Sequence, residues 1–507
     1  MRPHRLSNIV RLSCALWVGA VGIAGAQGYD TPLTFQGLNH IGIASAAVRG
    51  GAGISIGVRN DASLMFSNPA RMTSIEGIQI SLTTLSRRLY HKQDQRFGGL
   101  QGFSAFTPLM MGTTDALMDP PDSLLVNQTD SVQRPFDTIG PNWNRNSSNG
   151  LPFQVFAAVP LELAGMKFVF GAGVTEYADL NRYYQNNNSL SPSVLSVLDG
   201  TISTTRLDSN PYRVQWYQYW HERRGAINGY GGSVAAAISE RLSLGVSGMI
   251  LDGSTDDGET KVGRGRLLFF RNSLRIDKLG MTSYTKTGTS SLSGLEYSFA
   301  AAYAGRYVTL GASINPPTEI TREFNGTIVV DTVVAVSALD HRVDSLHATG
   351  TMTYGGKDKM NLPWRGTVEM SIAIKDNLTV GLGFEVRPYR SAEYVDPLGN
   401  VSSPWLASSI FRVAAHYRAA EWLTLRAGVT TFDENFSGVT PALRGEPVSY
   451  PIYSLGCGVE FMGARVNVAY EYSDRKFVDA WSNAASINRQ IGNTIVASVA
   501  YQLPALF

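Results

Sequence analysis

The sequence predicts an all-β membrane protein, a 14-stranded antiparallel transmembrane β-barrel with an N-terminal plug of short helical turns. Three observations carry that prediction. Short runs alternate apolar with other residues at period two, and they come in adjacent pairs joined by tight turns. Tight and long connections then alternate in a fixed phase, as they do when one rim of a barrel carries short turns and the other long loops. The apolar parity is almost free of charge, as a lipid-facing surface demands, because one Arg or Lys at mid-bilayer costs about 2–4 kcal/mol.

The elements follow in chain order. Residues 1–26 read as a secretory signal peptide: Arg2, His4, Arg5 and Arg11 give a basic start, Leu12 to Ala26 is apolar, and Ala24-Gly25-Ala26 supplies the small-x-small cleavage pattern. That stretch is shorter than the about 20 apolar residues a spanning helix needs. Cys14 lies within it, so Cys457 stands alone beyond residue 26 and neither an intramolecular disulfide nor a thiolate metal site is expected.

Residues 27–76 precede the first strand and are assigned to the plug. About eight strands already enclose all the space that side chains fill, so a wider barrel would leak without one. The stretch NDASLMFSNPARM, Asn60 to Met72, suits two helical turns. Asp61 is placed to cap Ala62 to Phe66, and Asn68 to cap a turn with Pro69 at its first position, where a missing N–H costs nothing. Upstream, Arg49-Gly50-Gly51-Ala52-Gly53 permits close backbone approach.

Residues 77–507 are assigned to the barrel. Its clearest hairpin is GTVEMSIAIKDNLTVGLGFEVR, Gly366 to Arg387, where Val368, Met370, Ile372 and Ile374 share one face before the Lys375-Asp376-Asn377 turn. Leu378, Val380, Leu382, Phe384 and Val386 do so after it. Similar pairs occupy 153–161 with 168–174, 230–238 with 242–250, 295–303 with 308–314, 411–417 with 423–429, and 455–461 with 466–472. Single strands near 78–89 and 494–503 complete the set, and long extracellular loops are expected at 90–152, 179–225, 253–294, 316–365, 388–408, 432–452 and 474–492. Glu296, Glu369, Glu385, Arg412, His416, Arg426, Glu460 and Glu471 all fall on the parity opposite the apolar residues. Glu176 breaks the pattern just after Gly171 and Gly173, where a bulge would reset the register. The chain ends IVASVAYQLPALF, apolar on one parity and finishing on Phe507, which is similar to the C-terminal signal that barrel assembly machinery reads in outer-membrane proteins.

Net charge of +2, 17% charged residues and the lack of a Lys/Arg stripe argue against nucleic acid as a partner. No cofactor is expected. No metal site is expected either: His341 and His347 lack supporting ligand spacing, and DGSTDDGE, Asp252 to Glu259, lacks the EF-hand register and reads as a solvated loop tip.

RGGAGISIGVRNDASLMFSNPARM resembles the N-terminal hatch signature of the long-chain fatty-acid transporter (FadL-like) family of outer-membrane β-barrel proteins. The matching positions are Asp61-Ala62-Ser63 and Asn68-Pro69-Ala70; the family usually has Gly-Leu next, where Arg71-Met72 stand here. MNLPWRGTVEMSIAI, LTLRAGVTTF and YSLGCGVEF also resemble that family's C-terminal half. The resemblance implies a hatch-gated channel in the bacterial outer membrane for passive uptake of long-chain fatty acids or hydrocarbons, surrounded by outer-membrane lipids. Met65, Phe66, Met72 and the lumen-parity Phe156 are then candidates to line the ligand path, and Arg412 and Arg426 to meet a carboxylate. The competing expectation is that these arginines pair with Glu385, Glu460 or Glu471 across neighbouring strands. One other function stays open, a structural barrel of a type IX-like secretion system, whose hatch motif is similar. An enzyme is not expected: a lipid hydrolase built on His416 would need a Ser and an orienting Asn or Asp, none of which stands out, and a lone His is ordinarily a member of a lumen network. The oligomeric state is not legible.

Overall fold

Alternation becomes strand at each of the expected places, and the strands close on themselves. The computed structural model describes residues 44–97, 139, 142–149, 152–190, 212–269, 274–336, 344–403, 405–437, 447–481 and 484–503. The signal-peptide reading, Cys14, His341, Pro504 and the terminal Phe507 lie outside the described residues. The fold is a closed 14-strand antiparallel barrel. Its strands are β1 (Ile78–Phe97), β2 (Phe153–Leu163), β3 (Met166–Asp179), β4 (Tyr212–Ala237), β5 (Leu242–Phe269), β6 (Thr282–Ala304) and β7 (Val308–Asn315). They continue as β8 (Arg365–Lys375), β9 (Leu378–Arg387), β10 (Ser408–Ala420), β11 (Leu423–Ser437), β12 (Pro447–Phe461), β13 (Ala464–Trp481) and β14 (Ala484–Leu503). Each pairs with the next, and β14 returns to β1 in unbroken register from Ile78↔Leu503 to Phe97↔Ala484, so no edge is left along that seam.

The tight connections gather at one rim. Ala164-Gly165 and Met462-Gly463 have both residues at positive φ (51° and 74°; 48° and 79°), the geometry whose twist matches a two-residue hairpin. At the other rim the strands overshoot: β4 has 26 residues and β5 has 28, against the about 9–11 that cross a bilayer.

This corrects the expectation of long loops. Much of 253–294 is strand, and 316–365 is largely a hairpin of Thr318–Val336 with Asp344–Leu362, laid beside the outer half of β6. Trp143–Ser148 and Arg182–Leu190 add to β1 and β4 in the same way. The Asp252 to Glu259 run is therefore mid-strand, and Asp257 turns inward to accept from Arg223, Thr255 and Ser290. Above the bilayer both faces of a sheet meet water or polar lumen, so the uncharged apolar parity that marked the spanning segments is no longer required while β-pairing continues.

Outside, Ile80, Leu82, Phe299, Leu310, Val368, Leu455, Val468, Ile495 and Val499 are exposed in a continuous apolar belt. Tyr303, Tyr307, Tyr417, Trp422, Phe461 and Tyr501 ring it toward the tight-turn rim; Phe153, Tyr230, Tyr297, Tyr453 and Tyr470 ring it toward the other. Two aromatic girdles flanking an apolar band are the signature of a barrel immersed in lipid. The register of β3 against β4 shifts between Glu176 and Ala178, so a bulge does sit where Glu176 broke the pattern. Inside, residues 44–76 fold into the lumen.

Candidate functional site

The lumen-filling segment is built from three short turns. Ala46–Gly50 is a helix whose N-cap Ser45 accepts from the Val48 N–H at 3.5 Å. The Ser45 hydroxyl also donates to Asp61 Oδ2 at 2.6 Å, and Asp61 Oδ1 accepts from the Ser63 N–H at 2.9 Å. One carboxylate thus ties the N-cap of Ala46–Gly50 to the residue just ahead of the second turn. Leu64–Ser67 is a second turn; Asn68 breaks it with φ −152° and ψ 81°, and a 3₁₀ turn Pro69–Ser74 follows with Pro at its first position. The Asn68 side chain does not cap that turn, contrary to the sequence reading; its Oδ1 is buried without a hydrogen bond.

The wall grips this segment through polar side chains. Glu369 on β8 accepts from the Ser55 and Ile56 N–H groups, each at 3.0 Å, and from the Ser55 hydroxyl. Gln79 on β1 accepts from the Ala62 N–H at 2.6 Å and donates to the Asn60 carbonyl at 2.8 Å. Arg465 donates to the Asn60 carbonyl at 2.7 Å, Thr430 to the Ala52 carbonyl at 3.1 Å, and Ser454 accepts from the Ala52 N–H at 3.1 Å. The hatch in turn reaches out through Arg49, whose Nε donates to Glu471 Oε1 at 2.9 Å beside a second bond to Oε2. The lumen parity of Glu369 and Glu471 was legible; that their partners are hatch groups was not.

Glycines on the wall let the hatch backbone approach. A Cβ on Gly456 would lie 2.9 Å from the Gly50 Cα, and one on Gly245 would lie 2.4 Å from the Ala70 nitrogen and the Pro69 carbonyl carbon. His416 faces Gly51 closely enough that a Cβ there would stand 2.5 Å from its Nε2, so the hatch covers this histidine.

Asp61, Ala62, Ser63, Asn68, Pro69 and Ala70 are all buried between hatch and wall. Met65, Phe66, Met72 and Phe156 come together as well, in one apolar cluster with Val169, Ala235 and Met249, and the Phe66 and Phe156 rings meet edge-on at 6.1 Å. Arg412 lies elsewhere, against Gly53, and pairs with Glu385, which also holds Arg387. Arg426 donates to Asn467 Oδ1 at 3.0 Å, so the ion-pair expectation holds for Arg412 and not for Arg426.

Arg71 is a site that sequence reasoning passed over. It is 7% exposed, donates to the Val58 carbonyl at 3.2 Å and has no ion-pair partner among the described residues. Burial, with Arg59 nearby, draws its guanidinium down to about 10.

On the side of the hatch away from the tight turns lies a polar cavity of about 720 Å³. Arg49 and Glu471 lie on it, with Arg87, Asp179, Arg145 and Glu222 further up its wall. Among the described residues no group of three or more His, Cys, Asp or Glu is placed to hold a metal ion.

No protein-family model matches this sequence, and no curated protein matches it. Solved structures do. A Pseudomonas aeruginosa FadL homologue is 14% identical with a TM-score of 0.55, over 90% of this chain and 98% of that one. The P. putida toluene transporter TodX is 13% identical with a TM-score of 0.50, over 91% and 98%. At such identities the likeness carries the fold, and the fold is the FadL-like barrel that the hatch motif led one to expect.

Proposed function

We propose that this chain is a channel of the bacterial outer membrane that passes hydrophobic small molecules, with residues 27–76 as its hatch and 77–507 as its barrel. The observation that carries the reading is the apolar seam between hatch and wall: Met65, Phe66 and Met72 belong to the hatch, and Phe156, Val169 and Ala235 to β2, β3 and β4. When the hatch shifts, that seam becomes a path lined with greasy side chains on one flank of an otherwise charged lumen, and an apolar solute crosses it without losing contact with apolar surface. The shared fold supports the reading, since the structures it is shared with include a FadL homologue and a toluene transporter. In this orientation the tight turns face the periplasm and the long strands the outside.

The gate is the Asn68-Pro69-Ala70 step. It breaks two turns apart, presses its backbone against Gly245, and leaves the Asn68 side-chain oxygen buried without a partner, a cost of about 1–3 kcal/mol that a moved hatch would relieve. Replacing Asn68 and Pro69 together by Ala is expected to leave a folded barrel and to change toluene uptake, or leak conductance, by about tenfold in proteoliposomes. Uptake and conductance identical to the parent's would remove the gating role.

A further inference from the structure

We propose that the polar cavity outside the hatch is a binding site for a small aromatic carboxylate. The cavity, about 720 Å³, has the size of a small-molecule site. Its lining is rich in arginine: Arg49 pairs with Glu471, Arg87 with Asp179, Arg223 and Arg475 pair with Asp257 and Glu434 from behind, and Arg145 and Arg224 share Glu222. At Glu222 two guanidiniums meet one carboxylate. Arg145 Nη2 donates to its Oε1 at 2.7 Å, and Arg224 sends both Nε and Nη2 to the same oxygen at 3.2 and 3.0 Å. Three charged donors converge on one oxygen, and a second carboxylate seated between the two side chains would take them in the paired geometry that guanidiniums favour.

The rest of the lining favours an aromatic body over a bare inorganic anion. Arg145 already stacks on the Tyr183 ring at 3.7 Å, Arg475 lies 5.7 Å from the Tyr450 ring, and both rings face the cavity. Aromatic faces beside guanidinium edges hold a flat ring and its carboxylate together. The position matters as well. Arg49 forms the floor, it belongs to the hatch, and its ion pair with Glu471 lies within the same cavity. An anion held here therefore waits on the hatch itself; this last step rests on the channel reading, whereas the binding does not.

The test is titration calorimetry on the full chain in detergent, with sodium benzoate against neutral benzyl alcohol. Benzoate is expected to bind saturably and at least about tenfold more tightly than the alcohol, and to weaken by about tenfold in the R145Q/R224Q variant. Its affinity should also fall between about 50 and 500 mM salt, as exposed charge pairing does. Equal affinity for the two probes, or benzoate binding indifferent to both the double variant and salt, overturns the site. Should the variant not fold, the salt series on the parent protein decides alone. Toluene uptake without benzoate binding would sink this site and leave the channel; benzoate binding without toluene uptake would sink the channel and leave the site.

Discussion

Glu369 collects three donors from two consecutive hatch residues, and each hydrogen bond to a charged acceptor is worth about 1.5–3 kcal/mol. Glu369→Ala should therefore free the stretch around Ser55 and Ile56 while the barrel stays closed. Hydrogen exchange is the measurement: amides in this stretch should exchange at least about tenfold faster, with strand amides unchanged. Gly245 acts by volume instead. A side chain there meets the Ala70 nitrogen and Pro69 carbonyl carbon, backbone atoms that cannot swing away. Gly245→Val should thus displace the hatch and raise leak conductance without altering strand content, and conductance equal to the parent's would show that the hatch is not seated on this strand. At this scale the sequence was half legible. Lumen parity exposed Glu369, Glu471 and Arg412 as inward charges, but nothing in local spacing could say that the acids serve hatch atoms hundreds of residues away. Arg71 gave no signal because a single Arg after a helical turn is ordinarily a solvated one.

Strands were found wherever one face looks at lipid, since that face must be apolar and uncharged along its length. Leu455 sits on it in β12, six residues from the tight turn at Phe461 and therefore near mid-bilayer. Leu455→Arg is expected to destabilise the barrel by about 2–4 kcal/mol, read from urea unfolding in lipid vesicles. A loss under about 0.5 kcal/mol would place that position outside the hydrocarbon. The same logic explains where element boundaries failed. Thr282–Ser293 is rich in Thr, which suits strands, yet it alternates no apolar face because no bilayer faces it. Thr318–Val336 does alternate, with Ile320, Phe324, Ile328 and Val330 against Glu319, Glu323, Asn325 and Asp331, but Arg322 interrupts its apolar parity, and an uncharged apolar parity had been the criterion.

For the molecule as a whole, strand number, phase of the connections and the placement of a plug were all readable, because closure, an apolar exterior and a filled lumen are requirements that every residue in the wall obeys. The contents of the lumen were not, since they depend on which wall residues the hatch happens to reach. A closed barrel with this belt should resist dodecyl sulfate until heated, so an unboiled sample should run ahead of a boiled one in electrophoresis; identical mobility would contradict a lipid-immersed barrel. The seam between β1 and β14 has a further consequence for how the protein is made. Those two strands lie at opposite ends of the wall sequence, and contacts so distant along the chain form slowly, so their zipping is expected late in biogenesis. A cork lying just ahead of the first stave is then expected to seat before the hoop is drawn tight.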